Sequence, residues 1–240
     1  VEVHDMPIYT YFFSFLLGAS VASFLNVVAY SVPIGANWAI RRSACVHCQA
    51  HLTARELIPI FSYLAQKGRC RSCSVNISLV YPLIELAGGL LFIIPLILLD
   101  QIDGQQLAHT WLFFSLLITV TLTDLYYGLI PNKILAVFGA LLFMVDPSIF
   151  AAVMGLALFL VAALLGRWLF GQETVGGGDV KCYFVIGLAL DVRALLVSVV
   201  ISCGLALGYV LFVAEDRREP VKFAPFIALG AIMTMIALGI

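Results

Sequence analysis

Charge is what this sequence most lacks. Of its 240 residues only 11% are Asp, Glu, Lys or Arg, against about 25% in ordinary soluble domains. Hydrophobic residues make up 62%, and the mean hydropathy is +1.07. Such a composition excludes a solvated disordered protein and argues against a soluble globular enzyme. The net charge of −1 leaves no basic surplus that would draw the chain to nucleic acid. Internal repeats and low-complexity tracts are also missing. Cysteine is scarce, six in all, but four of the six fall in one short stretch.

Long apolar runs recur along the whole length, at 8–31, 80–99, 108–125, 131–146, 149–169, 179–190, 194–214 and 223–240. A helix rises about 1.5 Å per residue, so about 20 residues cross some 30 Å of hydrocarbon. Lipid cannot hydrogen-bond an open strand edge. The expectation is therefore an all-α integral membrane protein of about eight transmembrane helices. The first run is expected to be a span and not a cleaved signal peptide. Val1–Met6 carries Glu2 and Asp5 in place of a basic region, and the run is too long.

Eight spans place both termini on one side and sort the connectors into two sets. With span ends assigned to the nearer connector, Arg41, Arg42, Arg55, Lys67, Arg69, Arg71, Lys133, Arg167, Lys181, Arg217, Arg218 and Lys222 fall together, and only Arg193 falls opposite. By the positive-inside rule the first side is cytoplasmic. Glu2, Asp5, Asp100, Asp103, Asp146 and Asp191 lie on the other. The connector 32–79 is too long for a turn. It reads as a small cytoplasmic domain between the first membrane helix, 1–31, and a seven-helix membrane domain, 80–240, which holds the candidate chemistry taken up below.

That insert holds Cys45-Val-His-Cys48 and, 21 residues on, Cys70-Arg-Ser-Cys73. Two C-x-x-C turns at this separation suit a tetrahedral four-thiolate zinc site, each turn delivering a pair of soft ligands. Four cysteines and no open position point to a structural ion, not a catalytic one. Two disulfides are the alternative, but a cytoplasmic loop keeps its thiols reduced. A redox C-x-x-C would lack its usual fold context. Cys182 and Cys203, in apolar runs, read as small buried hydrophobes.

Ionisable groups in a membrane span are expensive and become functional candidates. Asp124 stands at the cytoplasmic end of the third run, in Thr-Asp-Leu-Tyr-Tyr-Gly-Leu-Ile-Pro131-Asn132. Asp179 opens the sixth, in Gly176-Gly-Gly178-Asp179-Val-Lys181, and Glu85 lies about one turn inside the second. Two acids at one depth can hold a single proton between them. The ionised one then activates a water and the protonated one donates to the developing oxyanion. Gly176 and Gly178 would let a substrate backbone come close. Structural readings stand beside these: Asp179 as a helix N-cap, Asp124 as the cap of a turn before Gly128, Glu85 as a hydrogen-bonding partner of the basic loop.

At this point the chain resembles a known family, the bacterial type IV prepilin leader peptidases, aspartic proteases of the inner membrane. Ser23-Phe-Leu-Asn-Val-Val-Ala-Tyr30 with Pro33 resembles the family's first-helix signature, and the paired C-x-x-C turns resemble its zinc-binding domain. Tyr81-Pro-Leu-Ile-Glu85 resembles the segment that follows. Asp124 with Ile130-Pro-Asn132 resembles the first catalytic motif, and Gly176-x-Gly178-Asp179-x-Lys181 the second, the G-x-G-D signature shared with presenilin-like proteases. Phe223-Ala-Pro-Phe226 resembles the terminal motif. Ser31 and Ala224 stand where the family commonly has Arg and Gly.

The resemblance implies Asp124 and Asp179 as the catalytic pair, and Gly176, Gly178, Lys181 and Glu85 as substrate-binding or supporting residues. Cys45, Cys48, Cys70 and Cys73 become the zinc ligands. It also implies pilin or pseudopilin precursors as partners, each with a basic leader, a Gly before the cut and an apolar helix beyond it. Many members also methylate the new N-terminus with S-adenosylmethionine. The residues add no independent support, since there is no strand–glycine-loop–helix fingerprint. Rival readings are a presenilin-like protease cutting within a span, a zinc-scaffolded adaptor, and an ion- or proton-coupled transporter using the same acids. A transporter calls for acids near the midplane in paired halves, whereas these sit at the edge.

Overall fold

A computed structural model of the chain describes residues 7–36, 43–99, 102–171, 175–213 and 221–239. Arg41, Arg42, Arg217 and Arg218 in the charge census, and Glu2, Asp5 and Asp100 opposite them, lie outside the described residues. The described residues are helical, with two isolated bridges and no sheet. The helices are α1 (Ile8–Ser31), α2 (Phe61–Ala65), α3 (Val80–Leu98), α4 (Gly104–Tyr127), α5 (Asn132–Val145), α6 (Ile149–Phe170), α7 (Gly177–Ala189), α8 (Val192–Phe212) and α9 (Ala224–Leu238). Five of them, α1, α3, α4, α6 and α8, are long and apolar enough to cross a membrane, while α5 and α9 are shorter apolar helices.

The chain divides into two compact units, Val1–Ile102 and Asp103–Ile240. In the first, α1 packs along α3 through a seam of small residues. Ser14, Gly18 and Ala22 recur every four residues on the buried face of α1, and Gly18 and Ala22 meet Gly88 of α3. A Cβ on Gly18 would overlap the Gly88 carbonyl and the Phe92 ring, and one on Gly89 would meet the Phe15 ring at 2.5 Å. Apolar helices in lipid gain little from burying grease against grease, so this close backbone approach supplies the attraction instead. Between them, Thr53 and Glu56 close a capping box at the 3-10 turn Ala54–Leu57, the Glu56 carboxylate accepting from the Thr53 amide at 2.8 Å and hydroxyl at 2.7 Å. Those two donors, with the Arg71 guanidinium 3.9 Å away, hold Glu56 below the usual carboxylate range.

In the second unit α4 carries much of the core. Phe113, Phe114, Leu116, Leu117 and Val120 are buried, and α5, α7 and α9 pack on this helix. It begins at Gly104, ahead of the apolar run, because Asp103 and Gln106 form a capping box and draw Gln105 and Gln106 into the first turn. It stops at Gly128, which takes the left-handed conformation before Pro131. α7 likewise starts before its apolar run, at Gly177, after an extended Gly176. α6 and α7 lie close, Tyr183 stacking on Phe159 with ring centroids 3.8 Å apart.

Candidate metal centre and active site

The four cysteines of the insert converge. Each pair sits in a short hairpin closed by a bridge, Ala44 to His51 in one and Arg69 to Asn76 in the other. The two hairpins repeat the same backbone. The Cys45 and Cys70 amides donate to Ala50 and Val75, and their carbonyls accept from Gln49 and Ser74, both at a φ of 59°. Only cysteine is common to the two stretches, so this duplication shows in the backbone and barely in the sequence. Cys45 Sγ lies 3.9 Å from Cys73 Sγ and Cys48 Sγ 4.0 Å from Cys70 Sγ, and all four sulfurs fall within 4.8 Å of one another.

That geometry suits a tetrahedral ion. Zinc–sulfur bonds of about 2.3 Å give sulfur–sulfur edges of about 3.8 Å, whereas a disulfide needs about 2.05 Å. The thiols also titrate apart. The amides of Cys48 and His47 bring Cys45 down to about 6. Against the Val75 amide, desolvation and the three neighbouring thiols push Cys73 up to about 12. A cation among the four sulfurs would offset this mutual repulsion and let all four ionise. His47 and His51 are both exposed, and neither joins the cluster.

Glu85 belongs to this same unit, and both of its oxygens are committed. Oε1 accepts from the Ser23 hydroxyl at 2.8 Å and Oε2 from the Ile60 amide at 2.7 Å. It ties the insert to α1 and α3.

The second unit holds the other acids. Asp124 occupies the last turn of α4 and is only 7% exposed. Its Oδ2 accepts from the Ala224 amide at 2.9 Å, at the first residue of α9. Next to it, Lys222 Nζ donates to the Leu125 carbonyl at 2.6 Å, capping the end of α4. Asp179 is half-buried in the first turn of α7, whose N-cap is Gly176, so Asp179 is not itself the cap. The two carboxylates interact electrostatically, and α4 packs on α7. Lys181 Nζ donates to Asn132 Oδ1 at 3.0 Å, linking the two acid-bearing motifs through α5 and α7.

The glycines before Asp179 have distinct surroundings. A Cβ on Gly176 would lie 3.1 Å from Asp179 Oδ2, and one on Gly178 would lie 3.3 Å from Ile130 Cβ. One on Gly177 would meet nothing within 4 Å. Gly176 leaves room for the carboxylate, and Gly178 lets α7 approach the Ile-Pro-Asn motif. The room at both is thus taken by the chain itself, a reason for the G-x-G-D spacing that substrate approach alone did not supply. An apolar cavity of about 790 Å³ lies among α5, α6 and α7, with Lys181 and Asn132 among its lining residues.

Sequence reading gave Lys222 and Ala224 no role. The legible signal was Pro225: proline near a helix start announces bare backbone amides, and one of them holds Asp124. Ala224 is fully buried, so its methyl group fits where the family commonly has Gly.

Comparison with known proteins identifies relatives of nearly the whole chain. Residues 16–99 match the Bacterial Peptidase A24 N-terminal domain, and residues 111–211 match the Type IV leader peptidase family. A prepilin leader peptidase/N-methyltransferase of Bacillus subtilis is 37% identical over 92% of this chain and 92% of its own length. One of Burkholderia pseudomallei is 35% identical, covering 93% of this chain and 84% of the relative. One of Aeromonas hydrophila is 28% identical over 97% and 92%. No solved structure matches.

Proposed function

The chain belongs to the type IV leader peptidase family, and from that premise we propose that Asp124 and Asp179 cut pilin or pseudopilin precursors at the cytoplasmic face of a bacterial inner membrane. What supports the assignment is that both acids stand at helix ends in one compact unit, Asp124 buried in the last turn of α4 and Asp179 in the first turn of α7, with α4 packed on α7. Glu85 is set apart from them by its two hydrogen bonds to Ser23 and Ile60. The transporter alternative finds no support in these relatives or in the placement of the acids at helix ends.

In the proposed reaction, the ionised acid takes a proton from a water held between the pair. The water oxygen attacks the carbonyl carbon of the scissile peptide, and the protonated acid donates to the oxyanion. Collapse breaks the C–N bond, the amine leaves with a proton, and the products are the leader's carboxylate and a new N-terminal amine. The Ala224 amide holds Oδ2 of Asp124, which leaves Oδ1 for the proton transfer. The Lys181–Asn132 link and Gly178 hold the motif of Asp179 against that of Asp124.

We place eight helices across the membrane, the five long ones together with α5, α7 and α9. α5, α7 and α9, of 14, 13 and 15 residues, do so by local thinning of the bilayer or by the extended segments at their ends. The charge census puts both termini on the non-cytoplasmic side and the insert in the cytoplasm. Functionally the chain reads as a first helix, 1–31, an insert, 32–79, and a catalytic portion, 80–240. Zinc, held by Cys45, Cys48, Cys70 and Cys73, would supply no chemistry beyond fixing the insert's shape.

The relatives' names pair the peptidase with an N-methyltransferase, and we extend the same pairing to this chain. The described residues contain no strand–glycine-loop–helix cradle for S-adenosylmethionine, and cleavage does not depend on that donor.

The test is cleavage of a pilin precursor by purified protein in detergent. Asp124→Asn and Asp179→Asn should each lose about 10²–10⁴-fold in rate, the span of an acid or base contribution, at unchanged folding. Retained cutting by either variant removes that residue from the pair.

A further inference from the structure

The insert contains a strained turn that is fastened to the membrane helices. The Phe61 amide donates to the Pro59 carbonyl at 2.6 Å, and Ile60 between them has φ 64° and ψ −52°. This is a three-residue γ-turn of the positive-φ kind, which is rare, and a β-branched residue there is an outlier. Strain of this sort persists only where surrounding contacts hold it. Here the contact is Glu85, whose Oε2 takes the Ile60 amide while Oε1 takes the Ser23 hydroxyl.

The depth of that anchor matters. Tyr30 near the end of α1 and Tyr81 near the start of α3 are 59% and 45% exposed, where tyrosine marks the membrane interface. Ser23 lies seven residues and Glu85 four residues further inside their helices, about 10 Å and 6 Å at the helical rise. The Ile60 amide is therefore drawn below the tyrosine level. Around it, Leu57, Ile58, Phe61 and Leu64 are 47%, 47%, 54% and 65% exposed. Leu83 and Leu86 of α3 are also exposed. At the rim stand Arg55, Lys67 and Arg69, all exposed, and Glu56 is the one acid among residues 43–79. An apolar face with a basic edge, held at this depth, matches a bilayer surface with anionic headgroups.

We propose that residues 57–64 form an interfacial membrane segment. Leu57, Ile58, Phe61 and Leu64 lie against acyl chains, Arg55, Lys67 and Arg69 meet lipid phosphates, and Glu85 is the anchor that sets the depth. The insert is then partly a membrane element. This rests on the membrane reading of α1 and α3 and is independent of the peptidase assignment.

Tryptophan depth measurements test it on the full-length protein in nanodiscs containing phosphatidylglycerol. Trp38, Trp111 and Trp168 are replaced by Phe, and single tryptophans are introduced as Phe61→Trp, Leu64→Trp or Val46→Trp, the last at a residue of the first hairpin that is 81% exposed. One metal ion per chain serves as the check that each variant is folded. Brominated acyl chains are expected to quench the tryptophans at 61 and 64 by roughly half, as an apolar face buried about 5–10 Å requires. Iodide in the water should quench only the one at 46. Adding Glu85→Ala should lower the lipid quenching at 64 and raise the iodide quenching. Iodide reaching 61 and 64 as readily as 46 would overturn the proposal. So would shielding from both quenchers, which would mean that a protein surface, such as a second copy of the chain, covers the segment. Because the readout is fluorescence, the same pattern should hold in the Asp124→Asn variant, so failure here is separable from failure of the peptidase reading.

Discussion

Cys45, Cys48, Cys70 and Cys73 come together from two eight-residue hairpins within one insert, whereas Asp124 and Asp179 stand on separate helices and are positioned only by the packing of α4, α5, α7 and α9. The hydrogen bonds of the acid site span 49, 97 and 100 residues along the chain. Those that shape the hairpins span only a few. A locally made site needs little beyond its own turns and a cation. A site assembled over long separations inherits the stability of every helix that carries it, and small changes at the seams reach the chemistry.

The sharpest way to break this contrast is to remove the metal. Zinc contributes about 10–16 kcal/mol of apparent folding free energy in small zinc peptides, so Cys70→Ser or a strong chelator should unfold the insert. Metal analysis should fall from one ion per chain towards none, while the thermal unfolding of the helical part shifts far less. A cooperative loss of both would show that the two centres are not separately built.

Next in size is the α1–α3 seam. Gly18→Leu would press a side chain onto the Gly88 carbonyl and Phe92. A cost of about 1–3 kcal/mol or more is expected from overpacking, read as a lower unfolding temperature in detergent with metal content unchanged.

Within the acid site, Gly178→Ala should lower cleavage by about five- to tenfold, the equivalent of roughly 1 kcal/mol, because Ile130 must give way. Gly177→Ala, facing open space, should be close to neutral. Equal losses at the two positions would mean that the spacing serves the substrate and not the chain's own packing. Smaller than the loss at Gly178 should be that of Lys222→Met. It removes an exposed bond to the end of α4, a few-fold effect on kcat of the size seen for an ordinary net hydrogen bond of about 1 kcal/mol. KM should be unchanged, and Lys222→Arg should restore the rate.

Much of the fold was legible beforehand. The first run at 8–31 became α1 at Ile8–Ser31, and the fifth at 149–169 became α6 at Ile149–Phe170. Boundaries drifted where a cap and not hydropathy sets the start, as at Asp103 before α4 and Gly176 before α7. In the candidate sites the cysteine cluster was legible from spacing alone, because a C-x-x-C turn is a local geometry. The partners of Glu85, the Ala224 amide on Asp124 and the lysine cap of α4 were not legible, since each joins residues with no pattern relating them in sequence.

The sequence by itself determined that the chain is built of apolar membrane helices, where most of them run, and which four cysteines cluster. These follow from hydropathy and local spacing, properties that each stretch carries alone. Only the tertiary structure decided which amide grips Asp124, that Gly176 and Gly178 make room for their own chain, and that Ile60 is held in a strained turn by Glu85. Those outcomes depend on how closely helix backbones approach one another, and that distance is fixed only when all the side chains between them are packed at once.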